Sequence, residues 1–523
     1  SLDMLEASPE ASAVAVEVVF PVDLVQELMQ YGRSLETATA EISMVMERNG
    51  SIVEKWEDRI RMASGDVTDP IVGDPERAVG YAAFSIERNP NRSAAFILGA
   101  DAVIERGDFS FLPAGVFPQQ LNSIGKNWPV ILGSPGYQIS QPTAIGTVGK
   151  FNYAATPAYF IKLLLGVDPH RTDSTITLLI CAGEPVASTV GIQDYLGNTI
   201  TGRSVQTATV RGISYSFITF DYATDGLVHP WLRVQVGLST NFDLVGAETD
   251  DPMWWISWEN GGGLPNPYGS GALEGGGDLL RYAINQSGVD VDQQSFSNVA
   301  QLLNTYKFAG YVSDPEITWW DWVLENVLDY LPIQVTDGPD GLRAVVPLML
   351  MAGYIPSRVA ADVGPGFQIV SALEPVNEQA DIINYLKLSY AYIPSLEAFQ
   401  SFLVLSGDPE SNSWRNYLSE QALISRNRYG TRAGDIELDY VEDFQTATQI
   451  ADYLIRRDSL IRREIVVEAD PEWGFLAPGD VVSVTAPEWY LSAHRMQLTG
   501  KSWIGSGWEL RLELEENPMV NIR

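Results

Sequence analysis

The residues best suited to chemistry in this chain are carboxylates that lie beside tryptophans. Asp250 and Asp251 shortly precede the run WWISWE at positions 254–259, which ends at Glu259. Carboxylates beside exposed aromatic rings are what retaining and inverting glycosidases require. One interpretation is therefore a polysaccharide-binding or glycoside-hydrolysing protein that uses Asp250, Asp251 and Glu259. The aromatic spacing is also typical of a buried strand or an interface, and nothing fixes a second carboxylate at catalytic distance.

Other catalytic and metal-binding motifs do not occur in the sequence. The three histidines, His170, His229 and His494, are scattered and do not form the HExxH spacing of a zinc site. There is no GxSxG, Walker A loop or Rossmann fingerprint, and the glycine-rich run GGGLPNPYGSG lacks the Lys-Ser/Thr ending of a phosphate loop. We therefore expect a protein that is not an enzyme and that holds no cofactor and no metal.

Two aspartates and the single cysteine also favour structural roles. Asp290 and Asp292 resemble the start of a calcium loop, but the glycine at the sixth position and the glutamate at the twelfth are missing. Cys181 lies among apolar residues in TLLICAGEP, which predicts a buried thiol rather than a nucleophile. One cysteine forms no internal disulfide, and this fits a protein that is folded and assembled in a bacterial cytoplasm.

No segment of the sequence predicts a signal peptide or a membrane span. The start SLDMLEASPEAS lacks a basic region followed by an apolar one. The longest apolar stretches, AAFILGADAVI and AVVPLMLMAGYI, are shorter than the roughly 18 residues of a spanning helix. Both stretches are predicted to be buried core segments.

The charge balance excludes most nucleic-acid-binding functions. The 523 residues contain 33 Lys plus Arg and 67 Asp plus Glu, which gives a formal net charge of -34. A polyanion is repelled by such a surface, so sequence-specific nucleic-acid binding is not expected. Hydrophobic residues at 45% and charged residues at 19% are globular values. The length predicts roughly three to four domains.

The C-terminal part of the chain predicts a helix followed by strands. Apolar residues recur at helical spacing, with Asp443 or Thr446 placed as the N-cap and two arginines near the end. These apolar residues are Ala447, Ile450, Ala451, Leu454 and Ile455. Alternating apolar residues then predict strands, separated by a turn at Pro478-Gly479-Asp480. A helix that crosses a small barrel or sheet is the economical arrangement for burying both apolar faces.

The part of the chain before the C-terminal segment predicts β-strands up to about position 236 and helices after position 277. Asn49-Gly50 is a hairpin signal between two strands, and further strands are predicted up to about position 236. The segment 259–277 is rich in glycine and proline and is predicted to be a linker. Beyond it, Thr318 with Asp321 predicts a capped helix start, and a hairpin is predicted through 337–341.

This order of motifs resembles the C-terminal part of the baseplate hub or tail-tip proteins of long-tailed bacteriophages (siphophages) and gene transfer agents. The shared pattern is YG.R, an acidic strand, a helix with TA..IA..L..R, and then L.PGD.V.VT. The matching residues are Tyr429, Gly430, Arg432, Thr446, Ala447, Ile450, Ala451, Leu454, Arg456, Leu476, Pro478, Gly479, Asp480, Val482, Val484 and Thr485. A looser resemblance continues upstream at Gly125, Pro129, Val130, Gly133 and Ser134, and at Trp319, Trp322, Val323, Asn326, Val327 and Leu328.

The resemblance implies a fold class and a set of domains. The expected class is a multidomain, β-rich α+β protein with two tail-tube-like β-barrel domains with helices and two accessory α/β or β domains. The expected boundaries are 1–120 for the first tube-like β domain, 121–258 for a β-rich accessory domain, 259–277 for the Gly/Pro linker, 278–371 for a helical α+β domain, and 372–523 for the second tube-like β-barrel domain with one crossing helix.

The resemblance also implies a role in a virion. The expected protein is a homotrimer at the distal end of a phage tail, where it joins the sixfold tail tube to the tip or central fibre and forms the channel for DNA ejection. Its expected partners are distal tail or tube proteins, central fibre or receptor-binding tip proteins, and the tape-measure protein in the lumen. The alternative stays open that it is a polysaccharide-binding or glycoside-hydrolysing tail protein.

Candidate interface residues come from the aromatic and basic clusters of the sequence. Tryptophan supplies large buried area at an interface, and arginine pairs with carboxylates. The candidates are Trp254, Trp255, Trp258, Arg456, Arg457, Arg462 and Arg463. The arginines are also compatible with an ordinary solvated helix end. Pro478, Gly479 and Asp480 are predicted as a structural turn in which Gly479 has a positive φ.

Overall fold

The structure of the chain is a computed structural model, which describes part of its residues. The described residues are 2–3, 14–19, 38–44, 47–48, 51–52, 60–72, 81–87, 117–118, 130–133, 137–140, 150–153, 164–167, 173–182, 191–194, 201–202, 204–210, 213–223, 254–257, 264–286, 289–312, 318–338, 341–347, 361–363, 367–370, 374–375, 379–393, 398–408, 416–486, 491–504 and 507–514.

The described part of the first half of the chain is built from antiparallel strands. They are β1 (Leu2–Asp3), β2 (Val14–Val19), β3 (Thr39–Met44), β4 (Glu47–Arg48), β5 (Ser51–Ile52), β6 (Ile60–Val72), β7 (Tyr81–Glu87), β8 (Phe117–Pro118), β9 (Val130–Leu132), β10 (Tyr137–Ser140), β11 (Lys150–Tyr153), β12 (Leu164–Val167), β13 (Asp173–Ala182), β14 (Gly191–Asp194), β15 (Ser204–Val210), β16 (Ile213–Ala223) and β17 (Trp254–Ser257). One sheet has the order β2-β7-β6-β3, and a second has the order β15-β16-β13-β12-β8.

Strands β4 and β5 pair antiparallel on either side of the predicted turn, with Arg48 opposite Ser51. The turn residues Asn49 and Gly50 themselves lie outside the described residues. Strand β6 continues through Pro70. The register between β6 and β7 shifts between Thr68 and Ile71, so this proline lies at an irregularity where no ladder donor is required.

The helices begin after the glycine-rich segment. They are α1 (Gly276–Gln286), α2 (Gln293–Leu303) and α3 (Trp319–Asn326), with strand β18 (Gly310–Val312) between α2 and α3 and the hairpin β19 (Gln334–Gly338) and β20 (Gly341–Val345) after them. Thr318 caps α3 as predicted, since its hydroxyl accepts from the Asp321 amide at 3.1 Å. The hairpin closes at Gly338 opposite Gly341, also as predicted.

The rest of the described chain forms two larger sheets. Its elements are β21 (Ala361–Val363), β22 (Phe367–Ile369), β23 (Glu374–Pro375), β24 (Tyr385–Ile393), β25 (Ala398–Ser406), β26 (Asn416–Leu418), α4 (Glu420–Tyr429), β27 (Ala433–Glu437), α5 (Phe444–Asp458), β28 (Arg463–Ala469), β29 (Val481–Ala486), β30 (Leu491–Trp503) and β31 (Trp508–Leu514). A four-stranded sheet has the order β26-β25-β24-β27. An eight-stranded sheet has the order β21-β29-β30-β31-β28-β22, with β1 paired to β30 and β23 to β28.

A first hydrophobic core unites the helices with the four-stranded sheet. It contains the buried faces of α1, α2 and α3, the inner face of β24 and β25, and the apolar face of α5. Trp319 and Trp322 are among its largest fully buried side chains. They contact each other edge-on at 5.7 Å, and Trp322 also contacts Tyr440 at 4.9 Å.

A second hydrophobic core lies against the eight-stranded sheet. It contains side chains from β28, β29, β30 and β31 together with Leu476. Strands β28 and β29 are consecutive in sequence, but β30 and β31 lie between them in the sheet. The turn at Pro478-Gly479-Asp480 therefore belongs to a crossover and not to a hairpin.

The placement of α5 differs from the expected arrangement. The sequence predicts that this helix crosses the strands that follow it, yet α5 packs on β24 and β25, which precede it. The expected C-terminal domain, 372–523, was predicted to contain one helix. The structure has two helices there, because α4 precedes α5. Helix α4 buries only Ala422 and Ser425, so it has no apolar stripe for a sequence pattern to reveal.

The described part of the predicted linker, residues 264–277, packs into the first core. Leu264 and Leu273 are buried and pair through the Leu273 amide, which donates to the Leu264 carbonyl at 2.7 Å. The first core thus contains Leu132 and then residues from Leu264 to Ile455, so it spans the expected boundary at 371/372, whereas the second core begins at Ile465.

Candidate functional site

The predicted carboxylate and tryptophan site falls mostly outside the described residues. Trp254 and Trp255 lie in β17, where they pair with Asp194 and Gln193 of β14. Trp258, Asp250, Asp251 and Glu259 lie outside the described residues. The interface role of the tryptophans and the glycosidase alternative therefore stay predictions.

The turn at Pro478-Gly479-Asp480 has the predicted backbone conformation. Gly479 has φ +95°, and a Cβ at this position would overlap the Cγ atoms of Val345. The Gly479 amide donates to the Leu498 carbonyl at 2.7 Å, and the Asp480 carboxylate accepts from the Ala477 amide at 2.8 Å. Glycine is required here both by the left-handed φ and by the close approach of β20.

The same turn joins the two cores. Arg343 of β20 lies 3.5 Å from the Asp480 carboxylate. The buried Gln497 amide donates to the carbonyls of Val346 at 3.2 Å and Gly479 at 3.1 Å. The PGD motif therefore positions the eight-stranded sheet against the hairpin of the first core.

The YG.R motif is organised by a residue that sequence reasoning missed, Asn384. Its side chain donates to the Gly430 carbonyl at 2.8 Å and to the Ser425 hydroxyl at 3.0 Å, and it accepts from the Arg432 amide at 2.8 Å. Gly430 ends α4 with φ +73°. Asn384 is 1% exposed, so these hydrogen bonds satisfy a fully buried amide.

The two predicted caps of α5 have different roles. Asp443 is the N-cap, since its carboxylate accepts from the Thr446 amide at 2.8 Å. Thr446 is buried, and its hydroxyl accepts from the Lys307 amide at 2.9 Å. The threonine of the TA..IA..L pattern thus attaches α5 to the segment that follows α2.

The candidate interface arginines Arg456, Arg457 and Arg462 each form an ion pair within the chain. Arg456 lies 2.8 Å from Asp452, Arg457 lies 2.7 Å from Asp458, and Arg462 lies 3.0 Å from Glu513. The fourth, Arg463, begins β28 opposite Pro375. Burial raises the pKa of the Glu513 carboxyl, and Arg462 opposes that shift. A role for these arginines between subunits stays a prediction.

A buried lysine holds the segment before the turn. The Lys501 ammonium donates to the carbonyls of Gly474 at 2.5 Å and Leu476 at 2.8 Å, and it lies 4.1 Å from the centre of the Trp508 ring. Burial lowers the pKa of Lys501 to about 8, and the charge of Asp480 partly opposes this shift. No sequence pattern indicates this contact, because an alternating strand predicts no lysine facing inward.

The remaining acidic and histidine candidates have structural surroundings. Asp292 is the N-cap of α2, where its carboxylate accepts from the amides of Gln294 and Ser295. His494 is exposed on β30. Within the described residues, no group of three or more His, Cys, Asp or Glu side chains is arranged to hold a metal ion. No helix in the described part of the chain has the length and hydropathy to cross a membrane.

Comparisons with known proteins give a structural similarity. No protein-family model matches the chain. No curated protein matches it either. Among solved structures, it is similar to a chain in the virion of a native gene transfer agent (GTA) particle, with a TM-score of 0.31 and 13% sequence identity over 66% of this chain and 79% of that chain.

Proposed function

We propose that this chain is a structural baseplate hub or tail-tip protein of a phage-like particle. In this role three copies join a sixfold tail tube to the tip or central fibre and form the channel for DNA ejection. The observation that carries the proposal is the ordered set of hub-like motifs in the C-terminal part of the sequence. Distal tail, fibre and tape-measure proteins are the proposed partners.

The surroundings of the motif residues support a structural reading of the motifs. Gly430 ends a helix, Gly479 allows a close contact between two cores, and Thr446 attaches α5 to its neighbour. Ala447 and Ile450 are fully buried on the inner face of α5. Each of these residues contributes to packing or to a turn, which supports a structural role for the motifs.

The charge of the chain supports the channel part of the proposal. Three copies, each with a formal net charge of -34, would surround DNA with acidic surface. A wall of this sign repels the phosphate backbone and limits adhesion during passage. The proposed channel is therefore lined by carboxylates.

Imaging of particles from the organism that encodes the chain tests the proposed location. An antibody against the chain should label the distal end of the tail, and reconstruction should show three copies coaxial with it. Labelling on the outside of the tail, or six copies in a simple ring, would contradict the proposal.

An activity measurement tests the alternative function. Purified chain is incubated with cell-wall and capsule polysaccharides, and the release of reducing sugar is compared with that of Glu259→Gln. We expect no release by either protein. Release by the parent chain that is lost in Glu259→Gln would favour the glycoside hydrolase.

A further inference from the structure

The edge strand β15 lacks the features that usually protect the edge of a sheet. It is the outermost strand of the five-stranded sheet with the order β15-β16-β13-β12-β8. Its sequence, SVQTATV, contains no charged residue and no proline. Its register with β16 is continuous from Ser204 to Val210, so it has no bulge. Charges, prolines and bulges are what prevent an edge from pairing, so β15 is suited to pair with another strand.

Both faces of β15 are accessible to a partner. Ser204 and Gln206 are exposed on one face. Thr207 and Thr209 are exposed on the other face, because side chains alternate along a strand. At these four positions the strand is thus not covered by a second layer. An added strand would meet short polar and β-branched side chains on either face.

The backbone of β15 offers hydrogen-bonding groups along its outer edge. Val210 lies opposite Ile213, and so short a connection is closed by hydrogen bonds between the residues on either side of it. Backbone direction alternates along a strand, which turns the amides and carbonyls of Val205, Thr207 and Thr209 away from β16. Within the part of the chain that the structure describes, no strand pairs with this side of β15. The same three residues have no other hydrogen-bond partner there.

The charges near this edge are basic, although the net charge of the whole chain is -34. In the sequence, Arg203 directly precedes β15 and Arg211 directly follows it. The five strands of the sheet contain two charged residues, Asp173 and Asp221. Both lie on the inner strands β13 and β16, beyond the part of β16 that pairs with β15. The ends of the edge strand therefore favour a partner with carboxylates.

Pairing of β15 with the same strand of a second copy is opposed by these arginines. In an antiparallel pair centred on Thr207, Arg203 of each copy would lie opposite Arg211 of the other. Like charges directly opposite each other on neighbouring strands are destabilising. A segment that carries a carboxylate at each end is instead complementary to both arginines. The edge therefore favours a different protein over a second copy.

We propose that β15 binds an extended segment of another protein, in which β-branched residues are flanked by a carboxylate at each end, and that this segment adds a sixth strand to the sheet. Main-chain hydrogen bonds to Val205, Thr207 and Thr209 hold the segment, and its terminal carboxylates pair with Arg203 and Arg211. This inference does not rest on the particle role proposed above.

Peptide binding to the full chain tests this proposal. The labelled peptide ETVTVTVTE places its glutamates opposite the two arginines when its central valine lies opposite Thr207. Fluorescence anisotropy compares it with ETVTPTVTE, in which proline interrupts the strand, and with KTVTVTVTK, in which the charge is reversed. We expect ETVTVTVTE to bind at least about tenfold more tightly than either control, the ratio produced by roughly 1.4 kcal/mol. The net charge of the chain attracts the basic control instead, so this order of affinities reports the local arginines.

Two variants at position 207 separate docking from folding. Thr207→Pro removes an outward amide that β16 does not use, so it should keep the parental unfolding midpoint and weaken ETVTVTVTE at least about tenfold. Thr207→Val keeps the amide and the strand, so it should bind the peptide as the parent chain does. Binding of ETVTVTVTE to the parent chain should also slow hydrogen exchange of the Thr207 amide.

A charge exchange tests the flanking arginines without changing the strand. The double variant Arg203→Glu with Arg211→Glu should bind KTVTVTVTK more tightly than ETVTVTVTE, which reverses the preference of the parent chain. Lys307→Glu with Lys387→Glu is the matched control, because it changes the net charge equally at two half-exposed lysines outside this sheet. This control should keep the parental preference.

Three outcomes would overturn the proposal. The first is equal binding of ETVTVTVTE to the parent chain and to Thr207→Pro. The second is failure of ETVTVTVTE to bind the parent chain more tightly than KTVTVTVTK does. The third is self-association of the parent chain in sedimentation velocity that Thr207→Pro abolishes, which would assign the edge to a second copy.

Discussion

At the scale of single residues, two features require glycine at position 479: its positive φ and the close approach of Val345. The cost of each feature can be measured separately. Gly479→Ala should lower the free energy of unfolding by about 2 to 4 kcal/mol, because it adds strain at a positive φ and an overlap with Val345. Chemical denaturation of the full chain measures this loss. The larger Gly479→Val should cost more than Gly479→Ala.

Gly271 provides a matched control for this substitution. It has φ +89°, and a Cβ there would meet no atom within 4 Å. Gly271→Ala should therefore lower the free energy of unfolding by only about 1 kcal/mol, which is the backbone strain alone.

A double variant tests the overlap directly. Combining Gly479→Ala with Val345→Ala should recover part of the stability lost in Gly479→Ala, because it removes the Cγ atoms that the new Cβ would overlap. Equal losses for the two glycine variants would contradict the proposed contact.

Lys501 should make the stability of the second core depend on pH. Burial lowers its pKa to about 8 in the folded state, below the ordinary value of 10.5. Between these values the unfolded chain binds more protons, so the free energy of unfolding should rise with pH by at most about 1.4 kcal/mol per unit. Unfolding curves between about pH 7 and 9.5 avoid most tyrosine ionisation.

Replacement of the lysine identifies the source of this slope. Lys501→Met should remove the rise with pH, and it should also leave the carbonyls of Gly474 and Leu476 without their donor. Lys387→Met is the control, because Lys387 is half exposed beside Asp435. An unchanged slope in Lys501→Met would show that another group causes it.

At the scale of elements, Asn384 connects β24 to the end of α4 and the start of β27. Asn384→Asp keeps the shape but loses the donor to Gly430 and Ser425 and places a carboxyl in a buried site. We expect a loss of about 3 kcal/mol or more in the free energy of unfolding. Asn427→Asp, at an exposed position of α4, should change it by less than about 0.5 kcal/mol.

The sequence predicted local elements well where a short-range rule decides them. The caps at Thr318 and Asp443 and the strand pairing on either side of Asn49-Gly50 depend on neighbours in the chain, and the structure shows both caps and the pairing. The positive φ of Gly479 was likewise predictable from its Pro-Gly-Asp context.

Long-range partners could not be predicted in the same way. The periodicity of α5 shows that one face is buried, but it does not name the sheet that covers it, and the structure selects β24 and β25 instead of the following strands. Asn384 and Lys501 look like ordinary polar residues in sequence, and their roles depend on chain segments brought close by folding. The prediction of interface tryptophans at 254–258 stays open.

At the scale of the whole molecule, the charge and the proposed trimer make a prediction about salt. Each chain has a formal net charge of -34, so association of three copies is opposed by repulsion that is largest at low ionic strength. The Debye length falls from about 30 Å at 0.01 M to about 8 Å at 0.15 M, which screens most pairs of distant carboxylates. Trimers held by apolar and aromatic surface should therefore become tighter as salt rises over this range.

Sedimentation equilibrium of the full chain at several salt concentrations measures both stoichiometry and salt dependence. We expect a mass of about three times 57.5 kDa at moderate salt and partial dissociation at low salt. Trp254→Ala should weaken the trimer if the predicted tryptophan interface is correct, whereas His494→Ala, at an exposed position, serves as a control. Trimers that weaken as salt rises would instead indicate an interface dominated by ion pairs. In such an interface the arginines of 456–463 would pair with carboxylates of a neighbouring copy instead of with their partners in the same chain. A monomer at every salt concentration would contradict spontaneous trimer formation by the chain alone.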